Sequence, residues 1–420
     1  MPVSTLSLGS NTYELLDGLG ATAVTKGSNT LISSENVITD LGIGGDYQPI
    51  SNVTIKAASI QNFTADLGAG SDALNITGNV DSASILFGNQ SDTGNNRLDI
   101  RGDLTAGSSV LGNLNNSYTD YSDTDYSSPT YGEVIGRNQI SGAAGNDSFK
   151  ISGIVEDTNF YMAAGNDSLV IGGAAEDVYV NTGSGNDLVE FRGITNNNII
   201  VQTDSGNDTV IFRNELTGDI SSNDATSAVE LGAGNDSLTL ANGASYAEIN
   251  TGSGKDTLRL TGSFDNTEFY LSDSASPNTS ASPNNSGDSI SISSNSIFND
   301  SSFSSINTLG DTLIVGSNSG WNNSDMYFAD GNDSLVFGSN ATFTDSRISL
   351  GDGADTLVFG SSTIFSDTTI DLGSDDLIDV VRFSSQDDYN DVEFIGYDDA
   401  DIYYIGAVQY TFGGNTSAFS

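Results

Sequence analysis

The chain has 420 residues, of which 56 are acidic and 12 basic, giving a net charge of −44, and it contains neither cysteine nor histidine. That inventory excludes a disulfide framework, a Cys/His zinc centre and a Ser/His/Asp catalytic device. The negative excess repels nucleic acid and anionic membranes, so neither is an expected partner, and it attracts cations.

Residues 1–45 repeat only weakly ("LGSNTYELL", "KGSNTLISS") and are expected to cap the fold. Residues 1–30 lack a basic segment followed by an apolar core, so no ordinary signal peptide is expected. No apolar run approaches the ~20 residues of a spanning helix, so no membrane insertion is expected.

From residue 46 to 385 the chain repeats itself. "MAAGNDSLVI", "TGSGNDLVEF", "TDSGNDTVIF", "LGAGNDSLTL" and "LGDGADTLVF" are variants of one phrase. Its last acidic residue falls at Asp72, Asp147, Asp167, Asp187, Asp208, Asp236, Asp256, Asp333 and Asp355, with weaker copies at Asp288, Asp311 and Asp376. Well-formed copies stand 20 to 22 residues apart, and the 28-residue gap before Asp236 holds a longer loop. Such a period signals a solenoid.

Two and four residues after each Asp come apolar pairs such as Leu169 and Ile171, Val189 and Phe191, and Leu357 and Phe359. Seven and five residues before it come Phe160 and Met162, Val229 and Leu231, or Ile348 and Leu350. Both runs have period two, the mark of a strand with one buried face. Each period therefore holds two main strands, with Gly-Asn-Asp as the turn between them. A second turn reads Phe-x-Asp-Ser/Thr at Phe343–Ser346 and Phe365–Thr368, with variants at Val155–Thr158 and Phe264–Thr267. There Asp or Asn is expected to bond the backbone two residues on. The expected fold is all-β: a right-handed parallel β-solenoid, or β-roll, with two main strands per coil and terminal caps. Loops are expected near 115–131, which carries Tyr118, Tyr121, Tyr126 and Tyr131, and near 272–288. Residues 386–420 are expected to form the C-terminal cap.

Stacking places the motif Asp residues in one column about 5 Å apart. Bare charges at that distance repel by roughly 1 kcal/mol in water and roughly 3–4 kcal/mol near a protein surface. A Ca²⁺ between successive coils offsets this, held by carboxylates and exposed turn carbonyls, with glycine allowing close approach. The candidate metal residues are Gly145 and Asp147; Gly165 and Asp167; Gly183, Gly185 and Asp187; Gly206 and Asp208; Gly232, Gly234 and Asp236; Gly254 and Asp256; Gly331 and Asp333; and Gly351, Gly353 and Asp355. A metal-free alternative has Asn146, Asn166, Asn186, Asn207, Asn235 and Asn332 form an amide ladder while Asp faces solvent. Lys255, in the Asn position of one copy, is a candidate for neutralising part of the column.

Gly183, Gly185, Asp187 and Val189, Gly232, Gly234, Asp236 and Leu238, and Gly351, Gly353, Asp355 and Leu357 match the phrase Gly-x-Gly-x-Asp-x-apolar. In this the chain resembles the RTX calcium-binding β-roll family, whose nonapeptide is Gly-Gly-x-Gly-x-Asp-x-apolar-x. The resemblance implies calcium-driven folding outside the cell and type I export through an uncleaved C-terminal signal. Thr182, Leu231 and Leu350 stand where the family has its first Gly, and only one turn per coil carries the motif. At most one calcium file is therefore expected.

No enzyme is expected. Asp375 and Asp376 with Asp379 and Arg382, and Asp387 and Asp388 with Asp391, are the densest charged clusters and read as solvated faces. The expected function is a non-catalytic extracellular structural or surface protein. The alternatives are a virion fibre or decoration protein and a carbohydrate-binding adhesin. Expected partners are calcium, cell-surface glycans and copies of the chain itself.

Overall fold

The computed structural model describes, with side chains, residues 71–80, 85–87, 94–105, 138–218, 227–271, 287–305, 309–375, 377–385 and 391–412, and the backbone of the strands between Val3 and Asp66 and at 81–84. The loop expected at 115–131, residues 272–286, Asp376, Asp387, Asp388 and residues 413–420 lie outside the described residues. The chain forms two compact units, Met1–Thr209 and Val210–Ser420. Each is a parallel β-solenoid, and the described residues include no α-helix.

In the first unit, antiparallel pairs come first: Val3–Leu8 with Asn11–Leu16, and Thr22–Lys26 with Asn29–Ile32 and Val53–Ala57. Parallel stacking begins where Ile38–Thr39 pairs with Ile60–Asp66 and Val53–Ala57 with Ala73–Ile76. Arg97–Ile100, Ser148–Ile151, Ser168–Ile171 and Leu188–Phe191 follow, each in register with the one before. A second parallel sheet holds Val155–Tyr161, Ala175–Asn181 and Thr195–Gln202. One coil supplies this sheet with two pieces, Leu104–Thr105 and Asn138–Ser141, which both pair with Val155–Tyr161. The first insertion therefore leaves the solenoid at a corner of that sheet, where it interrupts no strand of the other.

The second unit repeats the plan. Ser237–Leu240, Thr257–Leu260, Ser289–Ile292, Thr312–Val315, Ser334–Phe337, Thr356–Phe359 and Val380–Phe383 stack in parallel. Stacking continues past residue 385: Ile402–Ile405 pairs in parallel with Val380–Phe383, and Val392–Ile395 with Thr368–Asp371. The antiparallel strand Val408–Thr411 then covers the last edge, which removes an open row of backbone donors and acceptors. The long gap before Asp236 is another corner insertion, because Leu216–Thr217 and Ser227–Glu230 both pair with Ala244–Asn250.

Alternation sends the apolar pairs inward as expected: Leu169, Ile171, Val189, Leu258, Leu335 and Leu357 are fully buried or nearly so. Each such side chain contributes about 1.5–3 kcal/mol of transfer free energy. In the second unit aromatic rings stack coil on coil, with Phe298 on Trp321 at 4.1 Å and Phe337 on Phe359 at 5.4 Å.

The second turn departs from expectation in two ways. Its Asp or Asn adopts positive φ, at 47° for Asp157, 48° for Asn266 and 51° for Asp345, a conformation those residues tolerate best after glycine. The bond two residues away is made by the Ser or Thr that follows: Thr158 Oγ1 donates to the Glu156 carbonyl at 2.8 Å and Ser346 Oγ to the Thr344 carbonyl at 2.9 Å. In the early coils this corner is a kink inside one strand. From Ile297 onward it divides the strand in two, as in Thr342–Thr344 and Arg347–Ser349, so these coils carry three short strands rather than two.

Candidate metal centre

The Gly-Asn-Asp turn is built by two opposed side-chain ladders. The exposed Asn accepts from the coil that follows: Asn146 Oδ1 takes the Asn166 N–H at 2.7 Å, Asn166 Oδ1 the Asn186 N–H at 2.8 Å, and Asn186 Oδ1 the Asn207 N–H at 2.7 Å. The buried Asp accepts from the coil that precedes: Asp167 Oδ1 takes the Asp147 N–H at 2.6 Å, Asp187 Oδ1 the Asp167 N–H at 2.7 Å, and Asp208 Oδ1 the Asp187 N–H at 2.8 Å. The adjacent pair thus pins each turn to both neighbours.

In the second unit the Asp ladder runs Asp236, Asp256, Asp288, Asp311, Asp333, Asp355, Asp379 and Asp401, with each Oδ1 from Asp256 onward accepting the N–H of the Asp one coil earlier. Asn235 and Asn332 accept from Lys255 N–H and Ala354 N–H. The metal-free picture, with Asp in solvent and Asn amides bonded to one another, does not hold here: Asp72, Asp147, Asp167, Asp187, Asp236 and Asp355 are at most 3% exposed. An amide-to-amide ladder does exist at a different turn, from Asn340 through Asn318 to Asn295.

Glycine is required by close approach. A Cβ on Gly185 would stand 1.6 Å from the Gly165 carbonyl oxygen, and one on Gly254 would stand 1.5 Å from that of Gly234. Their φ values are 130° and 143°. Gly206 and Gly353 meet the carbonyls of Gly185 and Gly331 in the same way, and Gly183, Gly351 and Gly373 those of Ala163, Ala329 and Gly351. The site residues predicted from sequence therefore stand in three columns: glycines four and two residues before the Asp, and the Asp itself.

Asp167, Asp333 and Asp355 each leave Oδ2 buried with no hydrogen-bond partner. Burial, reinforced by neighbouring carboxylates and opposed by the backbone N–H each accepts, pushes Asp167 and Asp355 up to about 8 and Asp333 up to about 7. Burial likewise pushes Asp288 up to about 8, Asp379 to about 7 and Asp208 to about 6, and raises Asp187 and Asp401. Lys255 is exposed beside buried Asp256. Among the described residues no three acidic side chains converge on a single point. Each aspartate rung instead presents one carboxylate per coil beside the turn. A buried carboxylate of this kind takes up either a proton or a hard cation. The unpartnered oxygen and the glycine cradle both fit a cation.

Three column members escaped the sequence reading. Asn96, Asp379 and Asp401 hold the place of Asp in their coils. The signal was present, because Leu98 and Ile100, Val381 and Phe383, and Tyr403 and Ile405 stand two and four residues after them. Pairing of Leu357 with Val381 makes Asp379, not the weak copy expected at Asp376, the partner of Asp355. Arg382 lies outward over the Tyr404 ring at 3.9 Å while Asp379 is buried, so the two form no joint acidic–basic site.

No protein-family model matches the chain, and no curated protein does. Among solved structures, the chain is similar to a hyperactive, Ca²⁺-dependent, β-helical antifreeze protein from an Antarctic bacterium, with 19% identity over 84% of this chain and 86% of that one and a TM-score of 0.46.

Proposed function

We propose that the protein is a non-catalytic, calcium-ordered structural solenoid that works outside the cell, at or near a cell surface. The observation that carries this reading is the partnerless, buried Oδ2 of Asp167, Asp333 and Asp355. Ca²⁺ suits such a site because it is a hard cation that takes six to eight oxygen ligands in flexible geometry. Asp carboxylates of successive coils and the carbonyls of the glycine column, Gly165, Gly185, Gly234 and Gly331 among them, would hold it, with water completing the shell. Bound calcium supplies positive charge between coils that would otherwise repel.

The extracellular assignment rests on chemistry of supply. A site with few carboxylates binds calcium weakly, and modules with Kd values of about 10⁻⁴–10⁻³ M work where calcium is abundant. The absence of cysteine across a 420-residue chain agrees with this. The non-catalytic assignment is supported by repetition, since catalysis requires a unique constellation and here the same side chains recur coil after coil.

The test uses the full chain. It is dialysed against chelator, then titrated with Ca²⁺ or, as control, Mg²⁺, following thermal unfolding by circular dichroism and bound metal by equilibrium dialysis. Calcium is expected to raise Tm by several degrees and to be retained by the protein, while Mg²⁺ does neither at equal concentration. Equal Tm in chelator and millimolar calcium, with no retained metal, would overturn the proposal.

A further inference from the structure

The rungs of the aspartate column are not alike. Asn96 takes the Asp place between Asp72 and Asp147, and its Oδ1 accepts the Asp72 N–H at 2.9 Å as an Asp would. Its second atom is an amide nitrogen, which donates to the Gly94 carbonyl of its own turn at 3.3 Å. Gly94 stands two residues before the column residue, the position held by Gly165 before Asp167, Gly331 before Asp333 and Gly353 before Asp355. In those three turns the second atom is a carboxylate oxygen with no partner. Other rungs are completed by the protein in a different manner. Asp147 Oδ2 accepts the Ala143 N–H at 2.8 Å, Asp288 Oδ2 the Thr251 hydroxyl at 3.2 Å, and Asp401 Oδ2 the Asp398 N–H at 2.8 Å.

We infer that the calcium file is discontinuous: metal belongs at the rungs of Asp167, Asp333 and Asp355, whereas the Asn96 amide and the donors on Asp147, Asp288 and Asp401 make those rungs independent of metal. This rests on the calcium reading above and refines it to particular coils. The physical reason is donor counting. An ionised carboxylate has only acceptors, so a buried Oδ2 without an N–H or O–H stays ionised only beside a cation. An amide in the same place brings its own donor and no charge. The protein-completed rungs fall beside insertions or at the last coil: Asn96 and Asp147 flank residues 106–137, Asp288 follows residues 272–286, and Asp401 stands in the coil covered by Val408–Thr411.

Two exchanges in the full chain test this, Asn96→Asp and Asp333→Asn, with calcium stoichiometry by equilibrium dialysis and Tm in chelator as readouts. Asn96→Asp is expected to bind one calcium more per chain than the parent protein and to melt lower in chelator. Asp333→Asn is expected to bind one fewer, and to melt higher in chelator than the parent because the amide substitutes for the ion. If the parent binds calcium but Asn96→Asp binds no more and melts unchanged in chelator, the partition into two kinds of rung is wrong while the calcium reading stands. A parent protein that binds no calcium refutes both. An Asp333→Asn protein that melts lower than the parent in chelator also refutes the partition.

Discussion

Removing calcium should make stability depend steeply on pH, in a direction opposite to ordinary acid denaturation. Asp167 and Asp355 are pushed up to about 8 by burial, from the ordinary carboxyl value of 3.8 in the unfolded chain. An acid whose folded pKa lies above its unfolded one holds its proton more tightly when folded. Its contribution is complete below about pH 4 and is lost as pH rises through about 8. Within that window the metal-free protein loses about 1.4 kcal/mol per pH unit for each such group. From pH 5 to 7 this is on the order of 3 kcal/mol for one carboxyl, against the roughly 5–15 kcal/mol that holds a typical domain together. Neighbouring rungs share the effect, so the sum over a column is smaller than the number of rungs implies. On the calcium reading proposed above, the ion would remove the dependence by taking the place of the protons, and ligand at a hundredfold excess over Kd would add about 2.7 kcal/mol per site. The assay is thermal unfolding by circular dichroism from pH 4.5 to 8.5, in chelator and in calcium. Sodium chloride arms screen the general repulsion of a −44 chain. Tm in chelator should fall with rising pH, and the calcium increment should grow with it. A calcium increment equal at pH 5 and pH 8, or a metal-free Tm that rises with pH, would refute the reasoning.

Two further outcomes follow from the geometry. Gly185→Ala places a Cβ against the Gly165 carbonyl at a φ of 130°, and should cost at least about 2 kcal/mol in denaturant unfolding, with calcium present or absent. Trp321→Ala empties a slot between the stacked rings of Phe298 and Phe343; it should cost about 3–5 kcal/mol by denaturant titration, whereas Trp321→Phe should cost less than about 1.5 kcal/mol.

The fold was legible because a solenoid is written in local terms. Each coil repeats its own period-two pairs, so Leu169 and Ile171 announce an inward face without knowledge of any distant partner. The same offset contained Asn96, Asp379 and Asp401, and finding them required no structure, only trust in the apolar spacing over the motif's spelling. The places where the chain departs from two strands per coil were not legible, because a kink and a break at the Asp345 corner have nearly the same sequence.

The sequence by itself determined that the chain stacks, which residues face inward and which turn gathers the carboxylates, since these depend on spacing alone. Only the tertiary structure decided what each carboxylate touches. Whether an Oδ2 meets an N–H, a hydroxyl or nothing depends on the backbone of another coil, so Asp147 and Asp167, alike in sequence, differ in what they demand. Hydrogen-bond satisfaction is a property of three-dimensional neighbours, and spacing along one chain does not encode it.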